Sequence, residues 1–182
     1  MNAPIELGQP ILRREDQRFL TGRGRYADDT APNDALAVLF VRSPHAHARL
    51  AGIDKTSALA APGIVAIYTA QDLVADKIGH LPTVSEIKDE AGNRHREPRH
   101  LPMPPDKVRH VGDIVAMVIA NTLDQARDAA ELLAVDYEEL PAVVTVAQAL
   151  ADSAAQLHDD VPGNLMCRWA KGDKGATDAA FS

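Results

Sequence analysis

The chain has 182 residues, of which 46% are apolar and 25% charged, and its formal net charge is −7. This length suits one ordinary domain, and the composition is typical of a globular protein rather than a disordered or fibrous one. The acidic balance argues against a nucleic-acid partner, because the phosphates would be repelled by such a surface. The single cysteine, Cys167, excludes an internal disulfide and a cysteine-rich metal or iron–sulfur site.

The amino-terminal stretch MNAPIELGQPILRRED has no apolar segment of the kind that a secretory signal carries. No apolar run in the sequence approaches the length that crosses a membrane. We therefore expect the protein to be cytoplasmic.

The first predicted elements are strands separated by one short helix. The run ALAVLFVRSP (Ala35–Pro44) is apolar and is stopped by a proline, which predicts a buried strand. Ala48–Asp54 alternates enough to predict the hairpin partner of that strand. Asp54 is expected to cap a short helix through Ser57–Ala61, and the β-branched stretch Ile64–Thr69 predicts another strand.

Between Lys77 and Arg109 the sequence is rich in proline, histidine and charge, without helical or strand periodicity. A loop of this length in a compact domain is usually functional or mobile. Basic residues cluster at Arg94–His110 and also at Arg13–Arg25. Two local positive patches are therefore compatible with the acidic total.

Periodicity returns with Asp113–Ala120, an apolar run typical of a central strand. Thr122 and Gln125 predict a capping box at the start of the clearest helix, and Leu133–Pro141 predicts the strand after it. A last short helix is predicted at Val146–Ala151, followed by an extended tail without a domain-closing element. This order of elements predicts an α+β domain, with helices packed on one side of a mostly antiparallel sheet.

The apolar periodicity predicts one core, shared by the strands and the long helix. On the helix, the apolar stripe comprises Leu123, Ala126, Ala129, Ala130 and Leu133. The predicted core comprises Val38, Phe40, Ile64, Ile67, Val115, Met117, Ile119, Leu123, Ala126, Ala130 and Leu133. Truncation of Val115 or Ile119 to alanine should then lower the free energy of unfolding by about 1–4 kcal/mol.

A Gly-x-Gly among arginines, formed by Gly22 and Gly24, invites comparison with a phosphate-binding loop. A dinucleotide-binding fingerprint needs a strand before it, a helix after it and a third glycine. Here RREDQRFL precedes the glycines, and the turn-rich RYADDTAPND follows them. Glycines that permit a positive φ in a tight turn explain the pattern better.

Histidines are the most suggestive metal-binding residues of the sequence. His45 and His47 flank one alanine, and His95, His100 and His110 lie on or beside the long loop. Zinc needs three or four convergent ligands of fixed geometry. Solvated loop histidines are therefore the default interpretation, and a metal site in the loop is the alternative.

Other reactive side chains also have simpler explanations. Ser43 and His45 are nearly adjacent, and the sequence has no Gly-x-Ser-x-Gly elbow for a nucleophile. Asp136 and Glu138 fall at strand spacing, which is typical of a solvated strand face. Cys167 has apolar neighbours and is expected to be packed rather than reactive. The residues alone identify no catalytic, cofactor-binding or metal-binding residue.

Several stretches of the sequence follow, in order, the motifs of one enzyme family. The opening ILRREDQRFLTGRGRYADD contains an Arg-x-Asp step, then Thr-Gly-x-Gly-x-Tyr and an Asp, at the positions Arg14, Asp16, Thr21, Gly22, Gly24, Tyr26 and Asp29. The further stretches are VRSPHAHARLAGID, APGIVAIYTAQDL, VRHVGDIVAMVIANTLDQARDAAELLAVDYEELPAVV and NLMCRWAKGD. Together they resemble the molybdenum-binding large subunit of the molybdenum hydroxylases, a family that includes xanthine dehydrogenase, aldehyde oxidase and aerobic carbon monoxide dehydrogenase. The likeness runs from about Pro10 to Ala180, with the long loop as its variable part.

The resemblance implies the family's N-terminal α/β hammerhead fold. Its expected parts are an arm at residues 1–25, a core at 26–140 with the variable loop at 77–109, and an extended tail at 141–182 that leads toward cofactor domains. In the family, the pterin contacts and the general-base glutamate come from later domains, so no catalytic or cofactor-binding residue is expected here. Apolar residues of the arm and tail are expected to pack on those domains, namely Ile11, Leu12, Phe19, Leu165, Met166, Trp169 and Phe181.

In function, the resemblance implies the scaffold portion of an oxidoreductase large subunit, without catalysis by this chain alone. The parent subunit would carry molybdopterin or molybdopterin cytosine dinucleotide. Iron–sulfur clusters and FAD would lie in an iron–sulfur subunit and a flavin subunit, which are the implied partners along with the remaining large-subunit domains. The alternative is a stand-alone module that uses the His/Arg-rich loop to bind an anion or a metal.

Overall fold

The computed structural model describes residue 8 and residues 13–82, 86–89 and 91–182. These residues form two compact units, one ending at Ala35 and the other running from Leu36 to Ser182. Ile11 and Leu12, for which the sequence predicts contacts with other domains, lie outside the described residues. Within the described residues, no helix is both long and apolar enough to cross a membrane.

The first unit contains one short helix and one 3₁₀ turn in its described part. Helix α1 spans Asp16–Leu20, and the 3₁₀ turn spans Asp28–Thr30. The rings of Phe19 and Tyr26 stack with their centroids 5.5 Å apart. The sequence analysis predicted no element in this region, because five residues are too few to show a helical period.

The second unit holds the strands and the remaining helices. Its strands are β1 (Ala37–Arg42), β2 (Ala48–Asp54), β3 (Ile64–Thr69), β4 (Lys107–Val108), β5 (Ile114–Ala120) and β6 (Ala134–Glu139). Its helices are α2 (Thr56–Leu59), α3 (Ala70–Ala75), α4 (Leu123–Glu131), α5 (Val146–Ala149) and α6 (Lys174–Phe181), with a 3₁₀ turn at Pro162–Asn164. The first sheet has the order β1-β5-β3 and the second the order β4-β2-β6, with antiparallel pairing in both. The predicted α+β class with antiparallel strands is confirmed.

The predicted hairpin between the first two strands is wrong. β1 pairs with β5, whereas β2 pairs with β4 and β6 in the other sheet. The end of β1 is held by β5, because Ser43 N donates to Asp113 O and Gly112 N donates to Ser43 O. The connection after Ser43 therefore carries the chain from one sheet to the other instead of folding it back.

Further elements lie where the sequence showed no period. The tail, predicted to be extended, contains α6, whose first turn is capped by the Asp173 carboxylate accepting from Ala176 N. The long loop contains β4 at its end. Helix α3 begins with a capping box in which Asp72 accepts from both the Thr69 backbone and its hydroxyl.

In the predicted capping box of α4, one of the two expected hydrogen bonds is found. Thr122 Oγ1 accepts from Gln125 N at 3.3 Å, as expected. The Gln125 side chain does not return to the cap but lies against Gly63, where a Cβ atom would overlap with it. Gly63 has φ 79°, a conformation that glycine adopts without strain. The Gln125 side chain thus packs against the turn that connects α2 to β3.

The two sides of the first sheet differ in what lies on them. The covered face packs on α2 and α4, and its residues are Leu39, Val41, Ile67, Ala116, Val118 and Ala120. The open face is the opposite side, and its residues are Val38, Phe40, Ala66, Tyr68, Met117 and Ile119. Among the described residues, Val115 packs in a separate cluster with Ala48 and Val108 of the second sheet.

The prediction of a single core is therefore wrong. The buried core of the first sheet joins Ile67, Val118 and the α4 residue Ala126. Val38 and Phe40 instead lie on the open face, where they are 46% and 43% exposed. Because β1 and β5 are apolar at nearly every position, their sequences carry no alternation from which the buried face could be identified.

Candidate functional site

A cavity of the second unit lies where the long loop meets the tail. It has a volume of about 280 Å³. Its walls are formed by Arg99, His100, Leu101, Pro104, Pro105, Asp106, Arg109, His110, Asp113 and His158. Loop histidines singled out from the sequence, His100 and His110, are thus brought together with a tail histidine that the sequence analysis missed.

Arg109 is the side chain that joins the loop to the tail. Its Nε donates to Leu157 O and its Nη1 to Lys107 O, both at 2.9 Å. Its Nη2 lies 3.6 Å from Asp106 Oδ1. These contacts use the guanidinium within the protein, so Arg109 holds the cavity wall in place rather than offering its donors to a ligand.

Asp113 closes the base of the cavity at the start of β5. Its Oδ2 accepts from Arg109 N at 2.7 Å, and its Oδ1 lies 3.1 Å from His110 Nε2. Here its carboxylate fastens the loop to the strand.

His158 titrates differently from an ordinary histidine. Burial lowers its pKa, and the nearby Arg109 cation lowers it further by disfavouring the protonated ring. The neighbouring Asp159 has a lowered pKa, because its carboxylate is hydrogen-bonded by Lys107 Nζ at 3.1 Å. No spacing pattern in the sequence could have linked His158 to Arg109, because the two are 49 positions apart in the chain.

Arg99 is the cavity cation most available to a ligand. Within the described residues, no hydrogen bond or ion pair reaches its exposed guanidinium. His158 lies beside it on the wall of the same cavity, and a second opening there is lined by both residues together with Asp159 and Asp160. The surroundings can therefore attract a small anion, although the two carboxylates weaken the positive field.

The Ser43 and His45 pair does not form a nucleophile and base. Ser43 Oγ accepts from His45 N at 3.0 Å and donates to His45 O at 3.1 Å, so its hydroxyl fixes the turn. The His45 ring lies 4.7 Å from the ring of Tyr137 and 3.2 Å from Glu139 Oε1. Burial raises the pKa of Tyr137, with a hydrogen bond to Ser43 acting in the opposite direction. This cluster joins the end of β1 to β6.

The other histidines named from the sequence serve the local structure. His47 is buried, and its Nδ1 lies 2.9 Å from Pro141 O, which fixes the exit of β6. His95 is also buried, and its Nδ1 lies 3.2 Å from Ile87 N across the loop. Because neither ring is solvated, the default interpretation of the histidines is wrong for these two.

The predicted solvent face of β6 is confirmed, since Asp136 and Glu138 are both exposed. Glu138 pairs with Arg49 of the neighbouring strand at 3.5 Å. Cys167 is half-buried and lines a shallow surface cavity with Trp169. In the described residues neither segment gathers the partners that a catalytic acid, base or nucleophile needs.

The Gly-x-Gly forms the end of helix α1. Gly22 has φ 68°, its N–H donates to Phe19 O, and the next N–H, of Arg23, donates to Arg18 O. A Cβ on Gly24 would lie 2.6 Å from the Phe19 ring. The predicted turn is confirmed, and the amides of Gly22 and Arg23 have carbonyl partners instead of pointing at a phosphate.

The described residues do not fit a molybdenum centre. They contain no group of three or more His, Cys, Asp or Glu side chains that could hold a metal ion. The amides of Gly22 and Arg23, which could have met a pterin phosphate, donate to carbonyls of α1 instead.

Two antiparallel sheets, the first of them covered by helices on one side, define an α+β domain. A family model described as "Aldehyde oxidase and xanthine dehydrogenase, a/b hammerhead domain" matches residues 21–141. The chain belongs to this family. The resemblance noted from the sequence is thereby confirmed at the level of the family.

Relatives and solved structures agree with this assignment. The chain is 36% identical to the carbon monoxide dehydrogenase large chain of Hydrogenophaga pseudoflava, covering 100% of this chain and 24% of that one. It is 38% identical to the xanthine dehydrogenase molybdenum-binding subunit of Escherichia coli O157:H7, covering 81% and 19% respectively. It is also similar to the structure of reconstituted CO dehydrogenase from Oligotropha carboxidovorans, with a TM-score of 0.82 and 35% identity over 96% of this chain and 22% of that one. The chain therefore spans about a quarter or less of the length of these relatives.

Proposed function

We propose that the chain is the N-terminal scaffold portion of the large subunit of a molybdopterin-dependent oxidoreductase. The observation that carries this proposal is the hammerhead match over residues 21–141, together with relatives named as carbon monoxide dehydrogenase and xanthine dehydrogenase chains. By resemblance to the family, the parent enzyme would hydroxylate a substrate carbon with oxygen from water, or oxidise carbon monoxide. Its compartment would be the cytoplasm.

In this proposal the cofactors and partners lie outside the chain. Molybdopterin, or its cytosine dinucleotide form, would be held by the other large-subunit domains. Iron–sulfur clusters and FAD would be carried by companion subunits, which would pass electrons away from molybdenum.

Co-expression tests the proposal. The chain is produced with the Hydrogenophaga pseudoflava large chain from which the part matching this chain has been removed. A tag on this chain should recover the truncated large chain in equal amount, and recovery no better than with an unrelated tagged domain would contradict the proposal. Metal analysis of the chain purified alone should find no molybdenum, and stoichiometric molybdenum would overturn the proposed division.

The alternative function, anion binding by a stand-alone module, is favoured by one observation. The Arg99 guanidinium lies unpaired, within the described residues, on a cavity wall shared with His158. Calorimetric titration with inorganic phosphate should show saturable heat for the wild-type chain and none for Arg99→Gln if this alternative holds. Absence of saturable heat with the wild-type chain would reject it.

A further inference from the structure

The open face of the first sheet is an apolar surface that the described residues leave uncovered. Phe40 and Tyr68 flank Met117 across the three strands, because each pairs with it in the strand register. Val38 lies opposite Ile119 in the next row. Phe40 and Val38 remain 43% and 46% exposed, and Tyr68 remains 36% exposed. Such a contiguous apolar patch marks an interaction site.

The sequences of the strands also require a second layer. A sheet that faces water on one side has polar residues at alternate positions of its strands. β5 has none, and β1 has only Arg42 at its end. The composition is that of a sheet covered on both sides. Within the described residues, however, α2 and α4 pack on the covered face, and the second sheet reaches the opposite side at Val115, leaving Val38, Phe40 and Tyr68 exposed.

We propose that the open face is the surface on which the remaining polypeptide of the large subunit docks. This inference rests on the proposed function and assigns a place on the domain to that contact. The relatives contain three quarters or more of their length beyond the part that matches this chain, so a covering polypeptide of ample size exists in each of them. Apolar faces without interspersed charge are typical of permanent contacts rather than transient ones.

A second copy of the chain fits this surface less well. Each copy carries a net charge of −7, so pairing two copies would bring two acidic proteins together. At the edge of the face lies Arg42, whose guanidinium is 5.9 Å from the centroid of the Phe40 ring and donates to Gly112 O. The fitting partner surface is therefore apolar, with a carboxylate opposite Arg42 at its rim.

The test uses the same co-expression with the truncated Hydrogenophaga pseudoflava large chain. Phe40→Lys and Tyr68→Lys place a charge on the open face from its two outer strands. Leu132→Lys is the matched control, because Leu132 is apolar and 50% exposed but lies at the end of α4, in the helical layer across the sheet. Circular dichroism melts of each chain alone verify that the variants fold.

We expect Phe40→Lys and Tyr68→Lys to reduce recovery of the truncated large chain at least tenfold, while Leu132→Lys recovers it like the wild type. Wild-type recovery with both open-face variants would overturn the inference and leave the proposed function standing. Failure of the wild-type chain to recover the partner would contradict the proposed function and this inference with it. A dimer of the chain alone that dissociates on Phe40→Lys, measured by light scattering, would assign the face to a second copy and overturn the inference.

Discussion

The covered and open faces of one three-stranded sheet are equally apolar but differ in the size of their side chains. On the covered face, alanines such as Ala116 and Ala120 lie in the same buried cluster as Ala126 and Ala129 of α4. The open face presents larger side chains, including Phe40. A domain complete in itself would bury its largest apolar side chains. The difference is what we expect if the open face is covered by a partner, as proposed above.

Alanine truncations on the covered and open faces should give the largest difference in the free energy of unfolding. Ile67→Ala removes a side chain that is 4% exposed in the core, and should lower the free energy of unfolding by about 2–4 kcal/mol. Phe40→Ala removes a larger side chain from the open face, and should cost less than about 1 kcal/mol in the isolated chain. Urea denaturation measures both. Equal losses would show that the open face is buried in solution.

Substitution of Gly63, which lies against the Gln125 side chain of α4, should give the next largest loss in the free energy of unfolding. Gly63→Ala requires a left-handed conformation and pushes a Cβ into the Gln125 side chain. We expect a loss of about 1–3 kcal/mol, measured by urea denaturation. Gly79→Ala is the matched control, because a Cβ there has open space and its φ is not positive. A Gly63→Ala chain as stable as the control would contradict the packing of Gln125 over the glycine.

Substitution of Asp72 tests the capping box that starts α3, directly after the edge strand β3. Burial acts to raise its pKa, but hydrogen bonds from Thr69 and Lys55 outweigh it, so the pKa lies below the ordinary 3.8. Asp72→Asn should cost about 0.5–2 kcal/mol at neutral pH. Because the native carboxylate binds protons less tightly than the unfolded one, this advantage is present above pH 3.8 and is lost as the pH falls through the native pKa. Denaturation at pH 6 and pH 3 should show the difference shrinking; a constant difference would refute the proposed coupling.

His158 lies away from both faces and should give the smallest effect. Its lowered pKa means that below pH 6.5 the unfolded chain takes up protons before the native one does. Stability should therefore fall as the pH drops from 6.5 through the native pKa. His158→Gln should match the wild type within about 0.5 kcal/mol at pH 8 and flatten this part of the profile. Thermal midpoints across this range measure it, and an unchanged slope would exclude His158 as the source.

Sequence patterns that extend over a few residues predicted individual strands and helix caps correctly. The strand at Ile64–Thr69 and the hydroxyl cap of Thr122 are found as predicted, because β-branched runs and caps act over a few residues. The partner of β1 was predicted wrongly, because strand pairing depends on distant hydrogen bonds such as that from Ser43 to Asp113. The sequence analysis named His100 and His110 of the cavity wall but missed His158, because that residue reaches the cavity from the tail.

The fold class, the family and the turn formed by Gly22 follow from the sequence, since each rests on residue types in local order. The buried side of β1 is instead fixed by packing between distant parts of the chain. Leu39 and Phe40 are both apolar neighbours on one strand, and nothing in their order distinguishes them. The choice is made by the alanine surface of α4, which packs against Leu39 from a segment about 85 residues away in the chain and leaves Phe40 open.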